Sequence, residues 1–470
     1  SLASGDVTIV STTSLVPGVG DINVNDVVTW SANKLTLNAQ NNININADMN
    51  ASATASLALE YGQSAALSGN NSLITTTGAV VNLPAGTSNF TTRQGSDGLT
   101  KNYTVITSLG IEGSLYSHTD LQGMWGEGTN YALGANIDAT DTVNWNSGAG
   151  FTPIWGNAGH NFKGSFDGLG HTISNLYISR PVISSQNDFI GLFGLFNLAN
   201  GSSISNLELL EVDMTGNTAV GALAGKVENT GGVVGVDSGW INNVLVSGSV
   251  TGKTSHTGGL VGQAADTIIS NSYSKVNVNG GEFTGGLIGS LISYSYGTSI
   301  SNSYASNNVI GTVNVGGLIG YVSTSADKKN SIINSYATGN VTGTAYQIGG
   351  LIGYLSGSVE IANSYATGDV VGTDKIGGLT GTNNAFSERG YSLFGNKISN
   401  SYATGTVTGN TNVGGFSGYT YPANVTIKNS FYDKTVNPSL PGVGGVYTNT
   451  NTDAAGDIFG MSTADMKMQV

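Results

Sequence analysis

The chain has 470 residues, with 70 Gly, 7 Pro and no Cys; 10% of residues are charged and the net charge is −13. The missing Cys excludes a disulfide framework and a thiolate metal site, and the acidic balance argues against nucleic acid or an anionic membrane surface as a partner. No apolar run is long enough for membrane insertion, and Ser1 opens without the charged and apolar regions of a signal peptide, so the chain reads as a processed or excised piece of something longer.

Residues 1–112 carry short alternating runs: Val7-Thr-Ile-Val10, Ile22-Asn-Val-Asn25, Val27-Val-Thr-Trp30, Leu35-Thr-Leu-Asn38, Ile43-Asn-Ile-Asn-Ala47, Leu57-Ala-Leu59 and Leu73-Ile-Thr-Thr76. Apolar residues alternating with Asn or Thr put one face inside and the other in water, so each run is a candidate strand of a small coil.

Residues 113–180 lose this period. Thr119 or Ser117 is placed to cap a short helix through Met124 that ends at Gly126, and Phe166-Asp-Gly-Leu-Gly-His-Thr-Ile173 reads as glycine turns where a larger coil begins. Three of the five tryptophans, Trp125, Trp145 and Trp155, fall here. They are the candidate ligand-binding residues, since an aromatic face displayed on a coil shoulder suits stacking on a sugar; packing in a core or cap is the competing reading.

In residues 181–437 a unit of about 30 residues repeats. Its Ile-x-Asn element, which first occurs at Asn175, returns at Asn206, Asn243, Asn271, Asn302, Asn334, Asn363, Asn400 and Asn429, and a second element returns as Gly285-Gly-Leu-Ile-Gly289, Gly316-Gly-Leu-Ile-Gly320 and Gly349-Gly-Leu-Ile-Gly353. Strand-forming residues at this period, with no helical segment, predict stacked coils rather than a globular domain. Equivalent side chains then form columns: an aromatic one from Tyr273 through Tyr304, Tyr336, Tyr365 and Tyr402 to Phe431, and an amide ladder from Asn271 to Asn429. Gly339, Gly368 and Gly405 are expected at a corner, and the longer steps place inserts at residues 230–240 and 383–395. Residues 438–470 read as a terminal segment or linker.

Two stretches resemble known families. GDINVNDVVTWSANKLTLNAQNNININADMNASATASLALEYG is similar to the filamentous-haemagglutinin-type β-helix of two-partner-secretion exoproteins, including high-molecular-weight adhesins. The Gly-Gly-Leu-Ile-Gly units resemble the GLUG motif of bacterial surface proteins. The Asn-Pro-Asn-Gly signature of the secretion domain is absent, so the chain would lie downstream of it. The expected fold is all-β, a right-handed parallel β-helix (β-solenoid) with a short irregular or helical insertion. The resemblance implies a secreted or surface-attached adhesin segment, extracellular or on the bacterial outer surface, that attaches to host-surface glycan, matrix polysaccharide or a cell-surface protein. Its outer-membrane transporter follows by the same analogy.

Catalysis is not expected. His118, His160, His171 and His256 lie in no Gly-x-Ser-x-Gly or His-Glu-x-x-His context, so no catalytic, metal or cofactor residue is assigned. A polysaccharide lyase or hydrolase, the enzymatic alternative, needs converging carboxylates; Asp138, Asp141 and Asp167 are the candidates, with solvated loop charge as the plainer reading. A passive stalk for another domain is the third reading.

Overall fold

The computed structural model describes residues 1–12, 20–126, 128–155, 161–182, 189–230, 239–295, 297–325, 328–387, 390–391, 395–421, 425–446 and 458–466. The described chain is built of short strands joined almost entirely by parallel, in-register pairing. It forms a parallel β-solenoid with two coils of different size.

One turn of the large coil runs through Asn330–Ile333, Tyr336–Ala337, Val341–Gly343, Tyr346–Gly349 and Ile352–Ser356. Each strand lies on its equivalent in the next turn, pairing Ile332 with Ile361, Tyr336 with Tyr365, Val341 with Val370, Ile348 with Ile376 and Ile352 with Thr380. Inside, Ile269, Ile300, Ile332 and Ile361 form one fully buried column, and Leu260, Leu287, Leu318, Leu351 and Leu379 another. Burying a side chain of this size contributes roughly 1.5–3 kcal/mol, so the columns supply the main cohesion between turns.

The corners explain the repeated polar residues. Every repeat Asn occupies the left-handed region, with φ from 46° at Asn429 to 60° at Asn175. Asn tolerates that conformation because its short amide bonds locally, whereas most L-residues lose about 1–2 kcal/mol there. The amides also stack: Asn302 Nδ2 donates to Asn271 Oδ1 at 3.3 Å, Asn334 to Asn302 at 3.2 Å, Asn363 to Asn334 at 3.1 Å and Asn400 to Asn363 at 3.2 Å. The following Ser builds a buried ladder that the sequence reading missed. Ser335 N donates to Ser364 Oγ at 3.3 Å, while Ser335 Oγ donates to Ile333 O at 2.9 Å. The aromatic column is present too, with ring centroids 4.5, 4.8, 4.6 and 4.9 Å apart from Tyr273 to Tyr402.

Close approach, rather than a left-handed backbone, selects glycine at Gly368: a Cβ there would lie 1.9 Å from Gly339 O of the preceding turn. The same holds at Gly349, where it would lie 2.0 Å from Ile352 O.

The small coil has three sides. Val7–Val10, Lys34–Asn38, Ser56–Tyr61 and Gly86–Gln94 stack on one; Ile22–Val24, Ile43–Ile45 and Ile74–Thr76 on the second; Val28–Trp30, Met49–Ala51 and Val81–Asn82 on the third. The helix expected through Met124 does not form. Asp120 Oδ1 accepts Gly123 N at 2.8 Å and Asp120 Oδ2 accepts Ser117 Oγ at 2.7 Å, so these side chains close a turn instead, as short polar side chains do. A 3-10 segment lies further on, at Thr140–Gly148.

Of the two expected inserts, residues 231–238 lie outside the described residues, as do 388–389 and 392–394; Phe386–Ser387 pairs antiparallel with Gly390–Tyr391. In the terminal segment, Val443–Val446 stacks on Ser417–Tyr421, and Ile458–Met461 on Ser430–Asp433.

Candidate functional site: a groove where the coils meet

The coils join through a hairpin. Gly86–Gln94, the last rung of the small coil, runs antiparallel to Lys101–Ile106, which then pairs in parallel with Asn130–Leu133 of the large coil. Alternation therefore sends side chains of the junction strands to two different cores. Tyr103, Val105 and Ala132 enter the small core; Ile106, Tyr131 and Leu133 enter the large one.

This reversal covers positions that elsewhere face solvent. Ala132, Asp167, Ser205, Asn242, Ser270 and Ser301 are successive partners across the sheet, on the outer face of the large coil. Where the small coil sits against that face the column is buried: Asp167 is 5% exposed and Asn242 1%. The seam is held by His171, whose ring nitrogens lie 3.0 Å from Val81 O and 3.0 Å from Asn136 Oδ1, and by Asn243 Nδ2 donating to Thr76 O at 3.3 Å.

Beyond the seam the two surfaces diverge into a groove of about 400 Å³. Its floor runs from Asp167, Ser205 and Asn242, buried at the seam end, out to the partly exposed Ser270 and Ser301; Trp240 and Ile268 lie beside them, and the segment around Leu67 to Leu73 lines the groove as well. Gln94 fixes that segment by donating through Nε2 to Asn70 O at 2.9 Å. Lys101 Nζ reaches Gly201 O at 2.6 Å and Ser165 Oγ at 3.1 Å.

Burial pushes the Asp167 carboxyl up to about 6, against hydrogen bonds from Leu169 N at 2.9 Å and Asn206 Nδ2 at 3.1 Å that favour its charged form. Desolvation also raises the phenols of Tyr61 and Tyr103, and the nearby Asp167 charge adds to it.

The three tryptophans singled out above do not reach the surface. Trp125, Trp145 and Trp155 are 6%, 8% and 6% exposed and belong to the large core. Trp125 packs on Trp155 with ring centroids 5.0 Å apart, and Trp145 stacks on Phe151 at 6.4 Å. Large rings in the turns that close the start of the coil fill volume that the repeat's Ile and Leu fill elsewhere, so they offer no free stacking face. Trp30 is buried in the small core, which leaves Trp240 as the half-buried tryptophan. Its signal in the sequence is its register, one place before the inward Ile241 of an Ile-x-Asn element.

The candidate carboxylates stand in different settings. Asp138 is exposed and accepts hydrogen bonds from Thr140 and Asn175, which hold it below the usual carboxylate range; Asp141 is exposed, while Asp167 is buried at the seam. Among the described residues no group of three or more His, Asp and Glu is placed to hold a metal ion.

Comparison with known proteins follows the fold. Residues 254–279 and 344–371 match the GLUG motif. A stretch of 123 residues, 25% of this chain, is 37% identical to Halomucin of Haloquadratum walsbyi and spans 1% of that protein. A crystal structure of a candidate immunoglobulin A1 protease from Bacteroides ovatus is similar over 58% of this chain and 77% of its own, at 22% identity and a TM-score of 0.46. That likeness is too distant to bear on function.

Proposed function

We propose that this chain is a rod-like segment of a secreted or surface-attached adhesin, exported from a bacterium and working outside the cell, where it attaches to host cells, other bacteria or matrix polysaccharide. The observation that carries this reading is the in-register stack of the large coil, in which nine strands from Phe193–Asn197 to Val443–Val446 follow one another in a single sheet. Such a stack resists bending and can hold a binding surface away from its anchor. The GLUG motif supports the reading, and among the described residues no helix is long and apolar enough to cross a membrane. Export by a two-partner route through an outer-membrane transporter is part of the proposal. We take the segment as non-catalytic, on the ground that of the three candidate carboxylates Asp138 and Asp141 are exposed while Asp167 is buried at the seam.

Beads coated with the folded chain test this directly against epithelial cells, bacterial cells and matrix polysaccharide. Saturable capture above beads carrying an unrelated β-solenoid is the expected result. Capture at the control level on all three surfaces would leave the passive stalk as the better account, which the same uninterrupted stack also favours.

A further inference from the structure

The groove where the coils meet combines concavity, an ordered polar floor and an aromatic side chain. It is concave, of about 400 Å³, within the roughly 300–1,000 Å³ of small-molecule sites. Past the buried Asp167, its floor is an ordered row of short hydroxyl and amide side chains, Ser205, Asn242, Ser270 and Ser301, because the row is one register column of the sheet. Beside that row stands Trp240, half-buried, with Ile268, 38% exposed, directly across the next strand pair.

A second observation is independent of the cavity. Asn242, on the floor, accepts hydrogen bonds at Oδ1 from Asn271 Nδ2 at 2.7 Å and Ser270 Oγ at 2.9 Å. Those donors fix which way its amide points, since the flipped amide would set Nδ2 against Nδ2. Its own Nδ2 has no partner, although buried donors are nearly always matched.

We propose that this groove binds an uncharged oligosaccharide, with one sugar ring lying on the Trp240 indole and its hydroxyls meeting the Asn242, Ser270 and Ser301 column. A sugar presents an apolar C–H face and a rim of hydroxyls, which matches an aromatic ring beside amides and hydroxyls. A polyanion is disfavoured by Asp167 and by the net charge of −13. A peptide strand cannot add to the sheet here, because Ser203–Val220 and Trp240–Gly258 already have partners on both edges along the floor. The inference deepens the adhesin reading by naming its ligand class, and it rests on that reading only for its biological purpose.

Acrylamide quenching of tryptophan fluorescence isolates the site, because Trp30, Trp125, Trp145 and Trp155 are buried and Trp240 is accessible. The probes are cellohexaose, maltohexaose and a chitin hexamer, with polygalacturonate as the charged contrast. We expect at least one neutral probe to protect Trp240 saturably, and calorimetric affinity to fall about tenfold or more in Trp240→Ala, the loss typical of an aromatic anchor. Ser301→Arg, which fills the groove from an outward position, should abolish protection while leaving the tryptophan signal in place. The proposal is overturned if no neutral probe shields Trp240, if binding survives both variants, or if polygalacturonate alone protects. Cell capture that persists in both variants would sink the groove and leave the adhesin reading; saccharide binding without cell capture would do the reverse.

Discussion

In the small coil, amides stack on the strands or just past their ends: Asn44 Nδ2 donates to Asn23 Oδ1 at 2.9 Å and Asn46 to Asn25 at 2.9 Å, each pair 21 residues apart, and Asn82 donates to Asn50 at 2.7 Å, 32 residues apart. In the large coil the stacked amides sit at left-handed corners, backed by the Ser ladder and the diglycine. The first arrangement only adds bonds to strands that alternation already places. The second ties Asn and Gly to the path itself, because most other residues lose about 1–2 kcal/mol at a left-handed corner and a Cβ does not fit the backbone spacing at the diglycine.

The sharpest way to break this contrast is a single methyl. Gly349→Ala puts a Cβ 2.0 Å from Ile352 O and 2.6 Å from Gly381 N, both backbone atoms that cannot swing aside. It should destabilise the large coil by about 3 kcal/mol or more. At Gly78 of the small coil a Cβ meets nothing within 4 Å, and only its φ of +67° opposes Ala, so Gly78→Ala should lose about 1–2 kcal/mol. Urea midpoints followed by circular dichroism compare the two, and equal losses would refute the distinction.

The junction gives the next largest effect, and its sign is opposite to that of an ordinary surface carboxylate. Asp167 titrates near 6 in the fold against 3.8 when free, so the folded chain binds this proton more tightly than the unfolded one. Its contribution is fully present below pH 3.8 and is lost as pH rises through 6, a difference of roughly 2–3 kcal/mol. The stability of Asp167→Asn relative to wild type should therefore rise between pH 4 and pH 7, by about that amount in melting experiments at matched salt. A constant difference across that window would mean the carboxylate is not desolvated at the seam.

Corner amides come next. Asn334→Ala removes both ladder bonds and forces Ala into a φ of 51°, which should lose about 2 kcal/mol, while Asn334→Gly keeps the backbone free and should lose about half of that. Asn44→Ala, on an extended strand, should lose under about 1 kcal/mol. If Ala and Gly prove equivalent at position 334, the ladder bonds and not the corner set the requirement for Asn.

These differences also explain what the sequence made legible. The repeat, the aromatic column and the amide ladder were readable because stacking places equivalent residues in register, so the period of the text is the geometry. The left-handed corner at Asn334 was not read from that repeat, although a fixed Asn is its natural signal. A second left-handed position is taken by His256, Phe283, Asn314, Gln347, Lys375 and Asn412, so Asn marks it in only some turns and the surrounding stack imposes it on the other residues. The groove was illegible for a different reason. Nothing in residues 86–106 announces that a hairpin will reverse the strand direction and bring one coil against the outer face of the other. Tryptophan count pointed to Trp125, Trp145 and Trp155, whereas the tryptophan that reaches a groove is fixed by strand register at Trp240.

The aromatic column offers the mildest perturbation and the most local readout. The rings of Tyr336, Tyr365 and Tyr402 are nearly parallel, with interplanar angles of 3° and 2°, and they are half-buried on the flank of the large coil, with no counterpart in the small one. Partial burial, and after it the approach of one phenolate to the next, pushes the middle phenol, Tyr365, up to about 12. Phenolate absorbance should therefore develop over a range extending well above that of free tyrosine. Replacing both neighbours in Tyr336→Phe/Tyr402→Phe keeps the stack and the burial but removes the neighbouring charges, so Tyr365 should titrate lower than in wild type while still above its ordinary value. If the double variant leaves the titration unchanged, burial alone sets it and the rings act as separate side chains. A return to the free value would instead show that neighbouring charge outweighs burial, and that the column is coupled along its length.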